Sequence, residues 1–134
     1  MIGLDTNVLV RYLTQDDLIQ SKLANKIINH ATEQGELLWI GHVTLCETIW
    51  VLERAYKVKK ETIVEILHLL LQTQELVFEH HDIVWQALQD YKSCPSVGFA
   101  DCLIGRQNLS NQCAFTYTFD KEAAKELSTF HLLK

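Results

Sequence analysis

The first thirteen residues constrain the fold of this chain more than any other stretch. A short apolar run, Ile2 to Leu4, ends at an acid, Asp5, and an amphipathic segment follows from Thr6 to Leu13. This order is typical of a β-strand that leads directly into an α-helix. Open α/β sheets bind ligands at the carboxyl ends of their strands, which is where Asp5 stands. Asp5 is therefore either a functional carboxylate or a helix cap, and on its own it favours the cap.

The alternation of strand and helix continues along the chain. Apolar runs at 37–40, 76–78, 113–118 and 130–133 predict four further strands, the last at a sheet edge. Segments with apolar residues at helical spacing lie between them. Strands that alternate with helices indicate a parallel sheet with right-handed crossovers. We therefore predict a single three-layer α/β domain over residues 1–134.

Polar residues predict where several helices begin and end. Asp16 is expected to cap the second helix, and Gly35 is expected to end it. Thr44 and Glu47 fit a capping box at the start of a helix predicted from Val43 to Tyr56.

Composition limits the class of protein. The chain has 134 residues and 48% hydrophobic residues, enough for one domain with a sizeable core. No apolar run approaches the roughly 20 residues that span a bilayer, and the amino terminus lacks the features of a signal peptide. The four cysteines form no C-x-x-C pair, so neither a zinc site nor a redox motif is indicated. We expect a cytoplasmic protein with reduced cysteines.

The net charge of −5 argues against a constitutive nucleic-acid binder, whose surface is basic. It does not exclude a nuclease, because a metal site needs clustered acids and a bound cation reverses the local field.

Four acids stand at predicted junctions between a strand or loop and the helix that follows. They are Asp5, Glu47, Asp101 and Asp120. In a parallel sheet the carboxyl ends of the strands share one edge, so these acids can meet there. Besides Asp5, the other three acids also have a purely structural interpretation: Glu47 completes the capping box, Asp101 complements a helix dipole, and Asp120 caps the last helix.

Four carboxylates at one edge suit a divalent metal. Mg²⁺ and Mn²⁺ prefer hard oxygen ligands, and such a metal activates water and stabilises charge during attack on a phosphodiester. The sequence contains neither a P-loop nor a nucleophile elbow. Metal-assisted hydrolysis is therefore the reaction class that these residues favour.

The motifs around these acids resemble those of PIN-domain nucleases, and most closely the VapC toxins of bacterial toxin–antitoxin modules. The resemblance rests on Leu4-Asp5-Thr6-Asn7-Val8-Leu9-Val10-Arg11-Tyr12-Leu13, on Glu47 within Leu45–Leu52, on Phe99-Ala100-Asp101-Cys102-Leu103-Ile104, and on Thr118-Phe119-Asp120. The motifs follow the family order and span essentially the whole chain. The resemblance implies a central parallel sheet of four or five strands flanked by helices.

The resemblance also implies a function and the roles of individual residues. It implies a Mg²⁺- or Mn²⁺-dependent endoribonuclease, with Asp5, Glu47 and Asp101 as core metal ligands and Asp120 completing the catalytic pocket. The residues expected to orient carboxylates or water are Thr6, Asn7 and Thr118. A homodimer and a small VapB-like antitoxin that blocks the site are expected partners, besides RNA. Gly105 stands where the family pattern leads us to expect alanine, a departure that affects packing more than chemistry.

Arg11 is a possible RNA contact because it lies on the helix that starts after Asp5, and Arg106 is a weaker candidate. The helix at 61–72 is apolar on most sides, which favours a partner surface there. Two other functions stay open at this point. One is an aspartyl-phosphate-type phosphatase with Asp5 as nucleophile, although such enzymes usually carry a second Asp where this chain has Asn7. The other is a catalytically silent PIN-like binding module.

Overall fold

Seven helices and five strands make up the chain, in a computed structural model that describes every residue from Met1 to Lys134. In chain order the elements are β1 (Ile2–Gly3), α1 (Thr6–Thr14), α2 (Leu18–Gln34), β2 (Leu38–Ile40), α3 (His42–Arg54), α4 (Lys60–Gln72), β3 (Leu76–Phe78), α5 (His81–Ser93), α6 (Phe99–Ser110), β4 (Thr116–Thr118), α7 (Lys121–Glu126) and β5 (Phe130–Leu132). Every strand pair is parallel, so the predicted α/β class is confirmed.

The strands form two hydrogen-bonded groups. One is a three-stranded sheet in the order β1-β2-β3, and the other is the pair β4-β5. All five predicted strands are present, but the ladders divide them three and two. The chain likewise divides into two compact units, which we call the N-terminal unit (Met1–Glu79) and the C-terminal unit (His80–Lys134).

The core of the N-terminal unit surrounds the central strand, β2. Leu38 and Ile40 on this strand have no exposed surface, as expected of a strand covered on both faces. Pairing with β1 continues past its last strand residue, because the Leu4 amide donates to the carbonyl of Trp39 at 3.0 Å. The strand therefore delivers the chain directly to Asp5.

Helix α2 is buried mainly through small residues, with Ile28 as the one large side chain among them. Its buried positions are Ser21, Ala24, Ile28 and Ala31. The large apolar residues at helical spacing are mostly exposed instead: Leu18, Ile19, Leu23 and Ile27. On α4, by contrast, only Leu69 is a large exposed apolar residue, so the main exposed apolar surface of this unit lies on α2.

Two predicted helix starts are wrong. Asp17 caps α2, with its carboxylate accepting from the Gln20 amide at 2.8 Å, whereas the Asp16 carboxylate accepts from the Tyr56 and Thr14 hydroxyls. Helix α3 begins at His42 with Gly41 as its N-cap, so Thr44 lies inside the helix and the capping box does not form. Gly35 ends α2 in the left-handed conformation (φ 68°), as predicted.

The C-terminal unit is built on the packing of α5 against α6. Tyr91 and Phe99 meet edge to face across this contact, with ring centroids 5.8 Å apart. Gly105 on α6 lies against Thr129, which immediately precedes β5. A Cβ at position 105 would stand 2.3 Å from the Thr129 hydroxyl, so the absence of a side chain sets how closely α6 approaches this segment.

None of the helices combines the length and the apolar character that crossing a membrane requires.

Candidate functional site

Asp5 occupies the junction between β1 and α1. Its backbone has the extended conformation of an N-cap residue (φ −86°, ψ 160°), and its carbonyl accepts from the amides of Val8 and Leu9. Its carboxylate, however, accepts no capping hydrogen bond and is exposed. The side chain is therefore open to a ligand, and capping does not account for an acid at this position.

Thr6 and Glu47 are joined by a hydrogen bond between their side chains. The Thr6 hydroxyl, which is buried at the first position of α1, donates to Oε1 of Glu47 in the second turn of α3. This bond replaces the capping interaction expected for Glu47. It brings the second predicted acid to the start of the helix that follows Asp5 and leaves Oε2 outside the bond.

Asn7 follows Thr6 on α1 and is exposed. It lines a groove of about 370 Å³ between α1 and α2, together with Val8, Arg11 and Leu23. Its side chain donates no hydrogen bond to Asp5 or Glu47, so its expected role in orienting a carboxylate stays a prediction.

Asp101 lies in the first turn of α6, after the N-cap residue Gly98. Burial raises the pKa of its carboxyl, and the negative charge of Asp120 raises that pKa further. The two acids of the C-terminal unit are therefore close enough to interact electrostatically. Both causes disfavour the ionised form, and a cation held by these carboxylates would remove the penalty.

Asp120 caps α7 with one carboxylate oxygen. Its Oδ1 accepts from the amides of Glu122 and Ala123 at 3.0 and 3.1 Å, so the predicted capping role is confirmed. The Asp120 amide in turn donates to the Thr118 hydroxyl at 3.0 Å. Thr118 thus fixes the backbone of Asp120, while Oδ2 stays outside the cap and open to a second role.

Each unit therefore holds a pair of the predicted acids: Asp5 and Glu47 in the N-terminal unit, and Asp101 and Asp120 in the C-terminal unit. Within neither unit are three or more His, Cys, Asp or Glu side chains grouped as a metal site. The donors themselves fit Mg²⁺ or Mn²⁺, since all are hard carboxylate oxygens and two of them repel each other. The four-acid site stays a prediction.

Arg11 is held by a polar network at the end of α1. Its Nε donates to Gln20 at 2.7 Å, and its Nη1 donates to the Tyr56 hydroxyl at 2.9 Å and to Asp16 at 3.3 Å. This network could not be predicted from the sequence, because its members lie up to 45 residues apart. Of the three guanidinium nitrogens, only Nη2 takes no part in these bonds, and it is the one that could donate to an RNA phosphate.

Arg106, the weaker candidate for an RNA contact, and His42 at the start of α3 both have partners within the structure. Arg106 makes a two-pronged ion pair with Asp90, with N···O distances of 2.6 and 2.8 Å, which joins α6 to α5. The hydrogen bonds to Asp90 also raise the pKa of Arg106, so this guanidinium is bound to a carboxylate of its own unit. His42 is buried and its ring Nε2 lies 2.7 Å from the carbonyl oxygen of Glu79.

The sequence matches the model of the PIN domain family over residues 2–127. This match spans nearly the whole chain and includes all four predicted acids, and the chain therefore belongs to the PIN domain family. Among characterised proteins it is similar to a VapC ribonuclease of Aquifex aeolicus (strain VF5). The two are 25% identical over 100 residues, which cover 75% of this chain and 73% of that protein.

Proposed function

We propose that this chain is a Mg²⁺- or Mn²⁺-dependent endoribonuclease and the toxin of a VapBC-type toxin–antitoxin module. The observation that carries the proposal is the PIN family match over residues 2–127, which contains Asp5, Glu47, Asp101 and Asp120. Similarity to a VapC ribonuclease supports RNA as the substrate. We further propose that residues 1–134 act as one PIN domain in the cytoplasm, as a homodimer that a VapB-like antitoxin inhibits.

The four acids would hold the metal. Once bound, the metal would lower the pKa of a water molecule and neutralise charge on the scissile phosphate. Hydrogen bonds within the chain orient two of the carboxylates that would bind the metal. Thr6 fixes one oxygen of Glu47, and the α7 cap fixes one oxygen of Asp120, so each carboxylate presents its other oxygen.

Asp101 contributes in a different way. Its raised pKa reflects a carboxylate that is poorly solvated and repelled by Asp120. A bound cation would relieve both effects, so the unfavourable placement of these acids would favour metal binding.

The test is cleavage of a fluorescently labelled RNA with Mg²⁺ and with EDTA. Wild-type protein is expected to cut RNA only with Mg²⁺, and Asp5→Asn and Asp101→Asn are each expected to lose at least about 100-fold of the activity. Glu33→Gln, an exposed acid on α2, is the matched control and keeps full activity. Full cleavage by folded Asp5→Asn contradicts the proposal.

Two further readouts separate the other functions. Turnover of a small phosphomonoester, without RNA cleavage, identifies a phosphatase. Folded protein that turns over neither substrate and binds no Mg²⁺ identifies a silent binding module.

A further inference from the structure

The strand pair β4-β5 carries an exposed aromatic surface that the acids do not explain. Tyr117 on β4 stands opposite His131 on β5 in the parallel register. Phe115 lies two residues before Tyr117 and Phe119 two residues after it, so the alternation of side chains along a strand places Phe115 and Tyr117 on one face. We call these four residues the aromatic face.

The rings of the aromatic face already stack on one another. Phe115 and His131 lie nearly parallel (16°) with centroids 3.9 Å apart, and Phe115 meets Tyr117 edge to face at 5.0 Å. Tyr117 and Phe119 are nevertheless 61% and 79% exposed, and His131 is also exposed. Large aromatic side chains left in water at this density mark an interaction surface.

The aromatic face leads directly to a predicted metal ligand. Phe119 is the residue before Asp120, and the Thr118 hydroxyl between Tyr117 and Phe119 accepts from the Asp120 amide. Asp120 is the third residue after Tyr117, which corresponds to about 10 Å of extended chain. A base stacked on Tyr117 would therefore lie within one or two nucleotides of a phosphate at Asp120.

The distribution of acidic residues along the chain favours a negatively charged ligand, such as a nucleic acid, on this face. The chain as a whole carries a net charge of −5, yet no Asp or Glu occurs from Gln112 to Phe119 or from Phe130 to Lys134. In sequence, the first stretch is followed by Asp120, Lys121 and Glu122, and the second stretch ends in Lys134, so the two lysines are the cations nearest the face along the chain.

We propose that the aromatic face binds unpaired bases of the RNA substrate beside the scissile phosphate. Stacking uses the ring faces of bases, which unpaired nucleotides leave open and a duplex keeps covered. This inference rests on the proposed ribonuclease function, because it assigns the base contacts of that site to a particular surface.

Binding without cleavage tests the aromatic face alone. The probe is a fluorescein-labelled oligoadenylate of about ten nucleotides, titrated in EDTA and followed by anisotropy. Stacking contributes about 1–3 kcal/mol per base, so Tyr117→Ala is expected to raise the Kd about 5- to 150-fold. Tyr117→Phe, which keeps the ring, and Trp50→Ala, an exposed aromatic residue on α3, are expected to stay within about twofold of wild type.

An abasic chain of equal length separates stacking from charge. Wild-type protein is expected to prefer the oligoadenylate to the abasic chain, and Tyr117→Ala is expected to erase that preference. If Tyr117→Ala perturbs the circular dichroism spectrum, His131→Ala serves as the second variant. Equal affinities for wild type and for both variants overturn the proposal.

A second copy of this chain is the other candidate occupant of the face. A dimer that Tyr117→Ala converts to monomer, with an unchanged Kd for the oligoadenylate, overturns the proposal in favour of self-association. Failure of the ribonuclease function looks different: wild-type protein then binds the oligoadenylate through Tyr117 but cuts no RNA with Mg²⁺.

Discussion

The hydroxyl of Thr6 donates a hydrogen bond to the carboxylate of Glu47, and this bond joins the first residue of α1 to the second turn of α3. Thr6 is buried, whereas Asp5 beside it is exposed. Asp5 is thus an exposed candidate ligand, while the neighbouring Thr6 binds the second candidate ligand, Glu47, by a hydrogen bond. The arrangement makes Thr6 a positioning residue for Glu47.

Replacing Thr6 tests that role. Thr6→Val keeps the shape of the side chain but removes the donor, so we expect RNA cleavage with Mg²⁺ to fall about 10- to 100-fold, the usual cost of losing a partner of a metal ligand. Thr6→Ser keeps the hydroxyl and should stay within about threefold of wild type. The measurement is kcat/KM over a range of Mg²⁺ concentrations. Equal activity of Thr6→Val and wild type at low Mg²⁺ would exclude the positioning role.

Gly105 provides a test of packing separate from chemistry. Alanine favours a helix over glycine by up to about 1 kcal/mol, but its Cβ would stand 2.3 Å from the buried Thr129 hydroxyl and 3.0 Å from the Phe130 ring. We expect the clash to prevail, with Gly105→Ala lowering the free energy of unfolding by about 1–3 kcal/mol in urea titrations.

Thr129→Ala is the matched partner for Gly105→Ala. It removes the atom that clashes, and the Thr129 hydroxyl is buried without a hydrogen-bond partner, so the double variant should recover part of the lost stability. If the losses of stability in the two single variants simply add in the double variant, the cost of Gly105→Ala does not arise from its contact with Thr129.

The network around Asp16 predicts a dependence of stability on pH. Hydrogen bonds from Tyr56 and Thr14 lower the pKa of the Asp16 carboxyl in the folded chain, with Arg11 adding a smaller effect. Because the folded pKa lies below the unfolded value, the contribution of Asp16 is present above about pH 4 and is lost as the pH falls through the folded pKa. Urea unfolding of wild type and Asp16→Asn from pH 6 down to pH 3 measures this.

We expect Asp16→Asn to be the less stable protein at pH 6, and the two curves to converge as the pH falls. Tyr56→Phe, which removes the largest cause of the shift, should reproduce part of the difference. A stability difference that stays constant across this range would show that Asp16 does not act through its charge.

The fold class could be predicted from the sequence because the apolar periodicity changes from strand to helix at each element. Local chemistry also located the end of α2 at Gly35 and the cap of α7 at Asp120. The predictions that failed depended on distant partners. Asp16 was the predicted cap of α2, but the hydroxyl of Tyr56, 40 residues away, donates a hydrogen bond to its carboxylate.

The candidate site shows the same limit. All four acids could be predicted as site residues from their positions in the sequence. For Glu47, however, the sequence predicted a capping box, whereas in the structure its hydrogen-bond partner is the Thr6 hydroxyl, 41 residues away in the chain. The aromatic face was also hidden, because stacking of Phe115 on His131 depends on the pairing of β4 with β5. Large apolar residues on α2 matched a buried stripe, but the close packing of this helix through Ser21 and Ala24 leaves them exposed.

The proposed function depends on a divalent metal bound by the acids of this PIN domain, and a titration with Mn²⁺ measures that binding itself. Titration of the full chain with Mn²⁺, with free Mn²⁺ followed by electron paramagnetic resonance, requires neither RNA nor turnover. We predict saturable binding by wild type and by Glu33→Gln, and an affinity at least about tenfold lower for Asp5→Asn and for Asp101→Asn. If folded wild-type protein binds no Mn²⁺, or if both variants bind it as tightly as wild type, these acids do not form a metal site.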